Sequence, residues 1–215
     1  DLLASVGPIV LLALALLVPA YYVLDPTPPK KVVLATGAEQ GAYHAFGKRY
    51  QAILKTYGVQ VELRNTQGAA ENLALLRDPS SEVQIAFVQG GADELPQDTD
   101  ADESEPALVS LGSMFFEPVW LFYREDAAQR LLKSDTLTRI SQLGGWKLNI
   151  GAPGSGVPNL MKKLLEANHM EPTQITLLEQ PQTPAVMALL GAESDALVFA
   201  SAPEAQMVQM LRQTP

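Results

Sequence analysis

The stretch that decides the fold reads Lys147-Leu148-Asn149-Ile150-Gly151-Ala152-Pro153-Gly154-Ser155-Gly156-Val157-Pro158-Asn159. Its apolar start predicts a buried strand, because strands covered on both faces are continuously apolar. Glycines and small residues then predict a tight turn. A helical pattern follows over residues 159–168. A strand, a turn and a helix in this order are the repeating unit of an α/β fold.

The same unit recurs along the chain. Lys31 to Thr36 is an apolar run that predicts a strand, and a second glycine-containing turn over residues 36–43 leads into a helical pattern over 42–57. Further strands are predicted over residues 59–63, 83–88, 175–178 and 195–200, and further helices over 68–77, 127–133, 184–190 and 203–212. This alternation predicts parallel sheets that are covered by helices.

These units form two groups, which predict two lobes. The first α/β lobe spans residues 31–110 and the second spans residues 125–215. An extended crossover over residues 111–124 joins them and is the expected hinge. Residues 93–106 hold seven acidic residues and no basic residue, so we expect a solvated acidic loop there.

The N-terminal segment is apolar enough to suggest a membrane anchor. Residues 2–24 carry no charged side chain, and about 20 apolar residues are needed to cross a bilayer as a helix. We therefore predict one transmembrane helix over residues 1–24 that contacts the lipid bilayer. The alternative is a signal segment that is removed on export. A proline-rich spacer over residues 25–30 follows.

Composition excludes several classes of function. The chain has 215 residues and a net charge of −9, which disfavours nucleic-acid binding because phosphates need clustered cations. It has no cysteine, so thiolate metal sites and cysteine nucleophiles are absent. The acidic stretch holds no glycine, which argues against a calcium loop. We expect no metal, no cofactor and no nucleic-acid partner.

The two glycine-rich turns are the candidate binding elements. Ligands of open α/β sheets lie beyond the carboxyl ends of the strands, where helix N-termini offer N–H groups to a carboxylate or phosphate. Ordinary tight turns are the alternative interpretation. No catalytic residue is predicted, because Pro153 and Val157 stand where a nucleophile elbow around Ser155 needs glycines. Glu39 and Glu117 remain a possible acid–base pair across a cleft, although their spacing does not demand it.

Five short blocks occur in a characteristic order. They are Ala35-Thr36-Gly37 with Gly41-Ala42-Tyr43, Thr66 to Leu73, Ile85 to Gln89, Leu143 to Gly156, and Asp195-Ala196-Leu197 with Ala202-Pro203. Over residues 31–212 they resemble the TAXI family of TRAP-transporter solute-binding proteins. The resemblance implies a type II periplasmic-binding-protein fold whose two lobes close on a small organic carboxylate or amino acid. It also implies delivery of that solute to an integral-membrane TRAP permease.

The implied location is the inner membrane, with the soluble body on the periplasmic side, or the periplasm after signal cleavage. A ligand-sensing module that signals to a partner is the alternative function. An enzyme that acts on a small acid is the third possibility. The family continues beyond the last residue of this chain, so the resemblance also implies a C-terminally incomplete first lobe.

The resemblance carries nine ligand contacts onto this chain. They are Thr36, Gly37, Tyr43, Gly68, Ala69, Gln89, Ser155, Gly156 and Val157. The last three would meet the anion of the ligand. Ala69 and Val157 stand where the family has Ser and Thr, so two hydroxyl groups are missing. The expected ligand is less polar than a typical amino acid, or the site has drifted from that of the family.

Overall fold

The computed structural model describes residues 2–24, 30–90 and 108–213. The chain divides into two compact units, Asp1–Lys31 and Val32–Pro215. The acidic loop predicted over residues 93–106 lies outside the described residues, as does nearly all of the spacer predicted over residues 25–30.

The first unit is built around one helix, α1 (Leu2–Leu24). Within the part of the chain that the structure describes, no helix has both the length and the apolar character required to cross a bilayer. The transmembrane helix predicted over residues 1–24 is therefore not confirmed.

The second unit alternates strands and helices, as the sequence predicts. Its strands are β1 (Lys31–Ala35), β2 (Gln60–Arg64), β3 (Ile85–Ala86), β4 (Val119–Tyr123), β5 (Lys147–Asn149), β6 (Thr176–Leu178) and β7 (Ala196–Ala200). Its helices are α2 (Ala42–Thr56), α3 (Ala69–Arg77), α4 (Glu125–Leu132), α5 (Val157–Ala167), α6 (Gln182–Leu190) and α7 (Gln206–Gln213). Short 3-10 helices cover Ile140–Leu143, Pro153–Ser155 and Pro172–Gln174.

The first sheet has three described strands in the order β2-β1-β3. Strands β1 and β3 run parallel, with Leu34 opposite Ile85. Helix α2 packs its apolar face on this sheet through Phe46, Tyr50 and Leu54. These three residues lie four apart, which places them on one helix face.

The second sheet has the strand order β4-β7-β5-β6. Strand β5 runs parallel to β6 and β7, whereas β4 runs antiparallel to β7 from the pair Val119–Ala200 to the pair Tyr123–Ala196. The prediction placed residues 111–124 in a crossover, but the structure adds Val119–Tyr123 to the second sheet. The physical reason is that β7 is almost fully buried, so it needs a hydrogen-bonded neighbour on both edges.

The second lobe carries the larger core. Trp146, Leu148 and Val198 are buried in a cluster with α4 and α5 on one face of the sheet. Leu197 and Val208 belong to a second cluster with α6 and α7 on the other face. A sheet covered on both faces explains why its strands are continuously apolar in the sequence.

Candidate functional site

A cleft of about 490 Å³ lies between the turns of the two sheets. On the first-lobe side it is lined by the turns that follow β1, β2 and β3, and on the second-lobe side by those that follow β5, β6 and β7. These are mainly the carboxyl ends of parallel strands, where ligands of open α/β sheets bind. The volume falls within the range of small-molecule sites.

Asn72 holds the first-lobe turns together. Its side chain is fully buried, and its Nδ2 donates to the backbone oxygens of Thr36 and Phe87. Its Oδ1 accepts a 2.6 Å bond from the hydroxyl of Thr66, which in turn accepts from the N–H of Gly68. One amide therefore fixes the ends of β1 and β3 against the start of α3. This network explains why the block Thr66 to Leu73 needs its polar residues.

Asn149 plays the corresponding role in the second lobe. It is fully buried at the end of β5, and its Nδ2 donates a 2.8 Å bond to Oε1 of Gln180. Its Oδ1 accepts from the N–H of Gly151 at 3.1 Å, which fixes the first residue of the glycine-rich turn. In each lobe, a buried asparagine thus holds the turns in place by hydrogen bonds.

The glycine-rich turn of the second lobe presses against the start of α3. Gly68 has a φ of +136°, and a Cβ placed on it would lie 3.0 Å from Cα of Ser155. A Cβ on Gly154 would lie 2.9 Å from Cβ of Gln67. Only residues without a side chain permit this approach. The two lobes therefore touch along one side of the cleft.

A hydrogen bond joins the lobes at another part of the cleft. The hydroxyl of Thr183, at the start of α6, donates to Oε1 of Gln40 at 3.0 Å. Both residues belong to turns or helix starts rather than to strands. The structure therefore shows the lobes in mutual contact around the cavity.

Ser155 contributes an unsatisfied hydroxyl to the cleft wall. Its Oγ is buried and has no hydrogen-bond partner among the described residues. Gly156, which has a φ of +78°, follows Ser155 and precedes helix α5, and no described side chain caps that helix. A buried polar atom without a partner is costly, and His44, Trp146 and Ser194 each have one as well, but of these four residues Ser155 alone lines the cleft, where a ligand could supply the partner.

Tyr43 and Glu117 form a polar pair in the first-lobe wall. The Tyr43 hydroxyl donates to Oε2 of Glu117 at 2.7 Å. Burial, together with the nearby charge of Glu117, raises the pKa of Tyr43 far above its ordinary value, so its proton stays in place. Burial also raises the pKa of Glu117, and the hydrogen bond from Tyr43 opposes that rise.

Aromatic rings pack against the Tyr43 ring of this pair. The ring of Tyr43 stacks on Phe87 with a centroid distance of 5.3 Å and lies 6.0 Å from Phe115. Phe115 also stacks on Phe46 of α2 at 4.3 Å. The rings hold Tyr43 and the segment that carries Glu117 in fixed positions, because such pairs prefer defined offset geometries.

The structure brings most of the predicted contacts to the cleft. Gly37, Tyr43, Gly68, Gln89, Ser155 and Val157 line it. Thr36 does not, because it is fully buried and its hydroxyl donates to the backbone oxygen of Arg64. Ala69 and Gly156 are buried behind the wall. A direct role of the lining residues in ligand binding stays a prediction.

Several lining residues carried no sequence signal of their own. Asn65, Gln182 and Ser201 reach the cleft from turns that no motif marked. Glu39 and Glu117 both line the cleft, but Glu39 is exposed and accepts a bond from Asn65, so the two carboxylates have different surroundings. His44 is buried in α2 and does not line the cleft. Among the described residues no group of His, Asp or Glu could hold a metal ion.

Comparison with solved structures supports the two-lobed fold. The alkanesulfonate-binding protein SsuA from Xanthomonas axonopodis pv. citri, bound to MOPS, superposes with a TM-score of 0.50 and 12% identity, over 81% of this chain and 55% of that one. The effector-binding domain of QuiR in complex with shikimate superposes with a TM-score of 0.55 and 12% identity, over 84% of this chain and 76% of that domain. The Synechocystis PCC6803 CcmR regulatory domain in complex with 2-PG superposes with a TM-score of 0.53 and 16% identity, over 86% of this chain and 76% of that domain.

Identities this low show the fold alone, which is that of a two-lobed α/β periplasmic-binding-protein-like domain. The chain spans about half the length of SsuA. A search of curated proteins gave no match. The finer likeness to the TAXI family is not confirmed by these comparisons. A family model matches residues 34–214, which is most of the chain, and the chain therefore belongs to the NMT1-like family.

Proposed function

We propose that this chain is an extracytoplasmic solute-binding receptor that captures a small organic acid or amino acid in the cleft. The observation that carries the proposal is the cleft itself. It is a cavity of about 490 Å³ enclosed by the strand-end turns of both lobes, and the hydroxyl of Ser155 in its wall has no described partner. A buried hydroxyl of this kind is stabilised when a ligand supplies the missing hydrogen bond.

Capture would use the two helix starts that border the cleft. Gly68 precedes α3 and Gly156 precedes α5, and neither helix start has a capping bond from a described side chain. Their N–H groups and the positive end of each helix dipole suit the carboxylate of a solute. Ser155 and Val157 would meet that carboxylate from the second lobe, while Gly68 faces it from the first.

Release would require the lobes to separate. The contacts to be broken include the approaches of Gly68 to Ser155 and of Gly154 to Gln67, and the bond between Thr183 and Gln40. The segment that precedes β4 would act as part of the hinge between the lobes. A ligand that touches both lobes then favours the closed state through its differential affinity.

Delivery of the solute to a TRAP-type permease is the finer part of the proposal and rests on the sequence resemblance. A ligand-sensing role is the second candidate, because the QuiR and CcmR neighbours of the same fold are an effector-binding and a regulatory domain. Uptake of the identified solute into vesicles that contain the permease separates these roles. Uptake that depends on this protein supports transport, and unchanged uptake supports sensing.

The first test is a thermal-shift screen of organic acids and amino acids. A ligand at 100 times its dissociation constant adds about 2.7 kcal/mol to the unfolding free energy, which shifts the melting temperature measurably. We expect one chemical class to raise the melting temperature and to be recovered unchanged. Chemical conversion of the compound would instead indicate an enzyme, and a folded protein without any shift would contradict a receptor for these solutes.

A further inference from the structure

The walls of the cleft are negatively charged. Three carboxylates line it, those of Glu39, Glu71 and Glu117, and none of the described lining residues is Lys, Arg or His. A site built for a simple anion would place a cation here, because charge-assisted hydrogen bonds to carboxylates come most often from Arg and Lys. The lining therefore does not fit a ligand whose only charged group is an anion.

Two of the three carboxylates have hydrogen-bond partners within the first lobe. An oxygen of Glu71 accepts a 2.7 Å bond from the N–H of Gln67, and an oxygen of Glu39 accepts from the amide of Asn65 at 3.2 Å. Glu39 is also exposed to solvent. Hydrogen bonds, together with hydration for Glu39, stabilise the charges of these two side chains without a ligand.

Glu117 is different. It is half-buried, its Oε2 accepts from Tyr43, and its Oε1 has no donor among the described residues. No described cation forms an ion pair with it, and none contributes to its pKa. A buried carboxylate is costly unless an opposite charge or several hydrogen bonds compensate it. Tyr43 supplies one such bond and leaves the other oxygen for a group that enters the cleft.

The opposite wall supplies a second, independent observation. The buried Oγ of Ser155 lacks a partner, and it stands at the start of α5 in the other lobe. The cleft thus has one group of lining residues that suits an anion, at the helix N-terminus beside Ser155, and one lining residue that suits a cation, Glu117. A solute with both charges would satisfy both at once.

We propose that the ligand of this cleft carries a protonated amine, which binds the free oxygen of Glu117, in addition to its acidic group. The inference rests on the proposed receptor function and narrows its substrate class to zwitterions such as amino acids. Glu117 is then the residue that determines specificity against simple carboxylates. Tyr43 positions the Glu117 carboxylate through their hydrogen bond.

Matched pairs of probes test this inference by isothermal titration calorimetry. The pairs are L-alanine and propionate, L-leucine and 4-methylpentanoate, and L-glutamate and glutarate, which differ only in the ammonium group. We expect the wild-type protein to bind at least one amino acid at least tenfold more tightly than its deaminated partner. In Glu117→Gln that preference should fall to less than threefold, whereas Glu166→Gln, on the exposed surface of α5 and outside the cleft, should keep it.

The outcomes separate the two proposals. If the wild-type protein binds a deaminated acid as tightly as the amino acid, the zwitterion inference is wrong and the receptor function stands. If Glu117→Gln keeps the preference, Glu117 is not the receiving group and the inference fails as well. If no probe of either kind binds the folded wild-type protein, neither proposal holds for these solutes. A melting temperature for each variant confirms that it is folded.

Discussion

Gly68 and Ser155 meet across the cleft so closely that a Cβ on Gly68 would lie 3.0 Å from Cα of Ser155. One residue begins α3 in the first lobe and the other precedes α5 in the second. Because the two backbones approach without a side chain between them, the closed cleft depends on glycine at position 68. The same pair brings two helix N-termini to one side of the cleft, which is where an anionic group would bind.

Gly68→Ala should therefore weaken ligand binding by opposing closure. A real Cβ contact at 3.0 Å forces the two lobes apart by a few tenths of an ångström. We expect the dissociation constant of the ligand identified by the thermal-shift screen to rise at least tenfold. Calorimetry measures the change.

The matched control for this substitution is Gly112→Ala. Gly112 has a φ of +140°, close to the +136° of Gly68, but nothing lies within 4 Å of its added Cβ. It therefore carries the same backbone strain without the contact between lobes. Equal losses of affinity in both variants would show that strain alone, and not the closure contact, is responsible.

Ser155→Asp should weaken binding at least tenfold, since it places a negative charge where the acidic group of the ligand is proposed to bind. Ser155→Ala should have a smaller effect, because it removes one hydrogen bond that is worth about 1 kcal/mol. Ser141→Asp, on an exposed residue of another helix, adds the same charge elsewhere and should leave the affinity unchanged. Full affinity of Ser155→Asp in calorimetry would remove Ser155 from the site.

Asn72→Ala should destabilise the protein more than the same substitution at an exposed asparagine. The substitution leaves the backbone oxygen of Phe87 without its side-chain donor and removes one bond each from the Thr36 oxygen and the Thr66 hydroxyl, which still bond to each other. At about 1–3 kcal/mol for the orphaned oxygen and about 1 kcal/mol for each of the two other lost bonds, the free energy of unfolding should fall by about 3 kcal/mol or more. Urea unfolding measures this change.

Asn168→Ala is the control for that experiment. Asn168 is exposed and donates one side-chain bond to the backbone oxygen of Leu164. Its replacement should change the unfolding free energy by less than about 1 kcal/mol. Similar losses for the two variants would argue that the Asn72 network does not hold the first-lobe turns.

Glu117→Gln should stabilise the unliganded protein at neutral pH while it removes the proposed specificity. Burial raises the pKa of Glu117 in the folded protein, so the folded state binds more protons than the unfolded state between the ordinary and the raised pKa. Wild-type stability therefore falls as the pH rises through that window. Glutamine does not titrate, so the stability advantage of the variant should grow over the same window and then stay constant.

Melting temperatures of both proteins between pH 4 and pH 8, without ligand, check this expectation. Glu166→Gln, on the exposed surface of α5, serves as the control for loss of one negative charge. An advantage of Glu117→Gln that shrinks with rising pH would have the wrong sign and would contradict a buried, uncompensated carboxylate.

The alternation of strands and helices was predictable because it depends on local patterns. Apolar runs such as Lys31 to Ala35 become buried strands, and residues spaced as Phe46, Tyr50 and Leu54 become the inner face of a helix. The partner of a strand is not a local property. The local pattern therefore predicts only an extended crossover for Val119–Tyr123, whereas the structure pairs this segment along its whole length with β7.

The lining of the cleft was predictable mainly near turns that carry glycine, and the role of these residues in binding stays a prediction. Gly37, Gly68 and Ser155 stand in such turns and line the cleft. Thr36 stands in the same kind of turn, but its hydroxyl donates to the backbone oxygen of Arg64 and it does not line the cleft. The sequence indicates Glu117 only as a possible acid–base partner of Glu39. Its hydrogen bond with Tyr43 spans 74 positions of the chain, and no local pattern encodes such a pair.

The central claim is that one small solute binds between the two lobes. Amide chemical shifts of the ¹⁵N-labelled protein, recorded during titration with each compound of the screen, test it most directly. We predict that one compound shifts the amides of Gly37 and Gly68 in the first lobe and of Ser155 in the second, and that these shifts saturate at one equivalent. Shifts confined to one lobe or to surfaces outside the cleft, or no shifts with any compound, would contradict the claim.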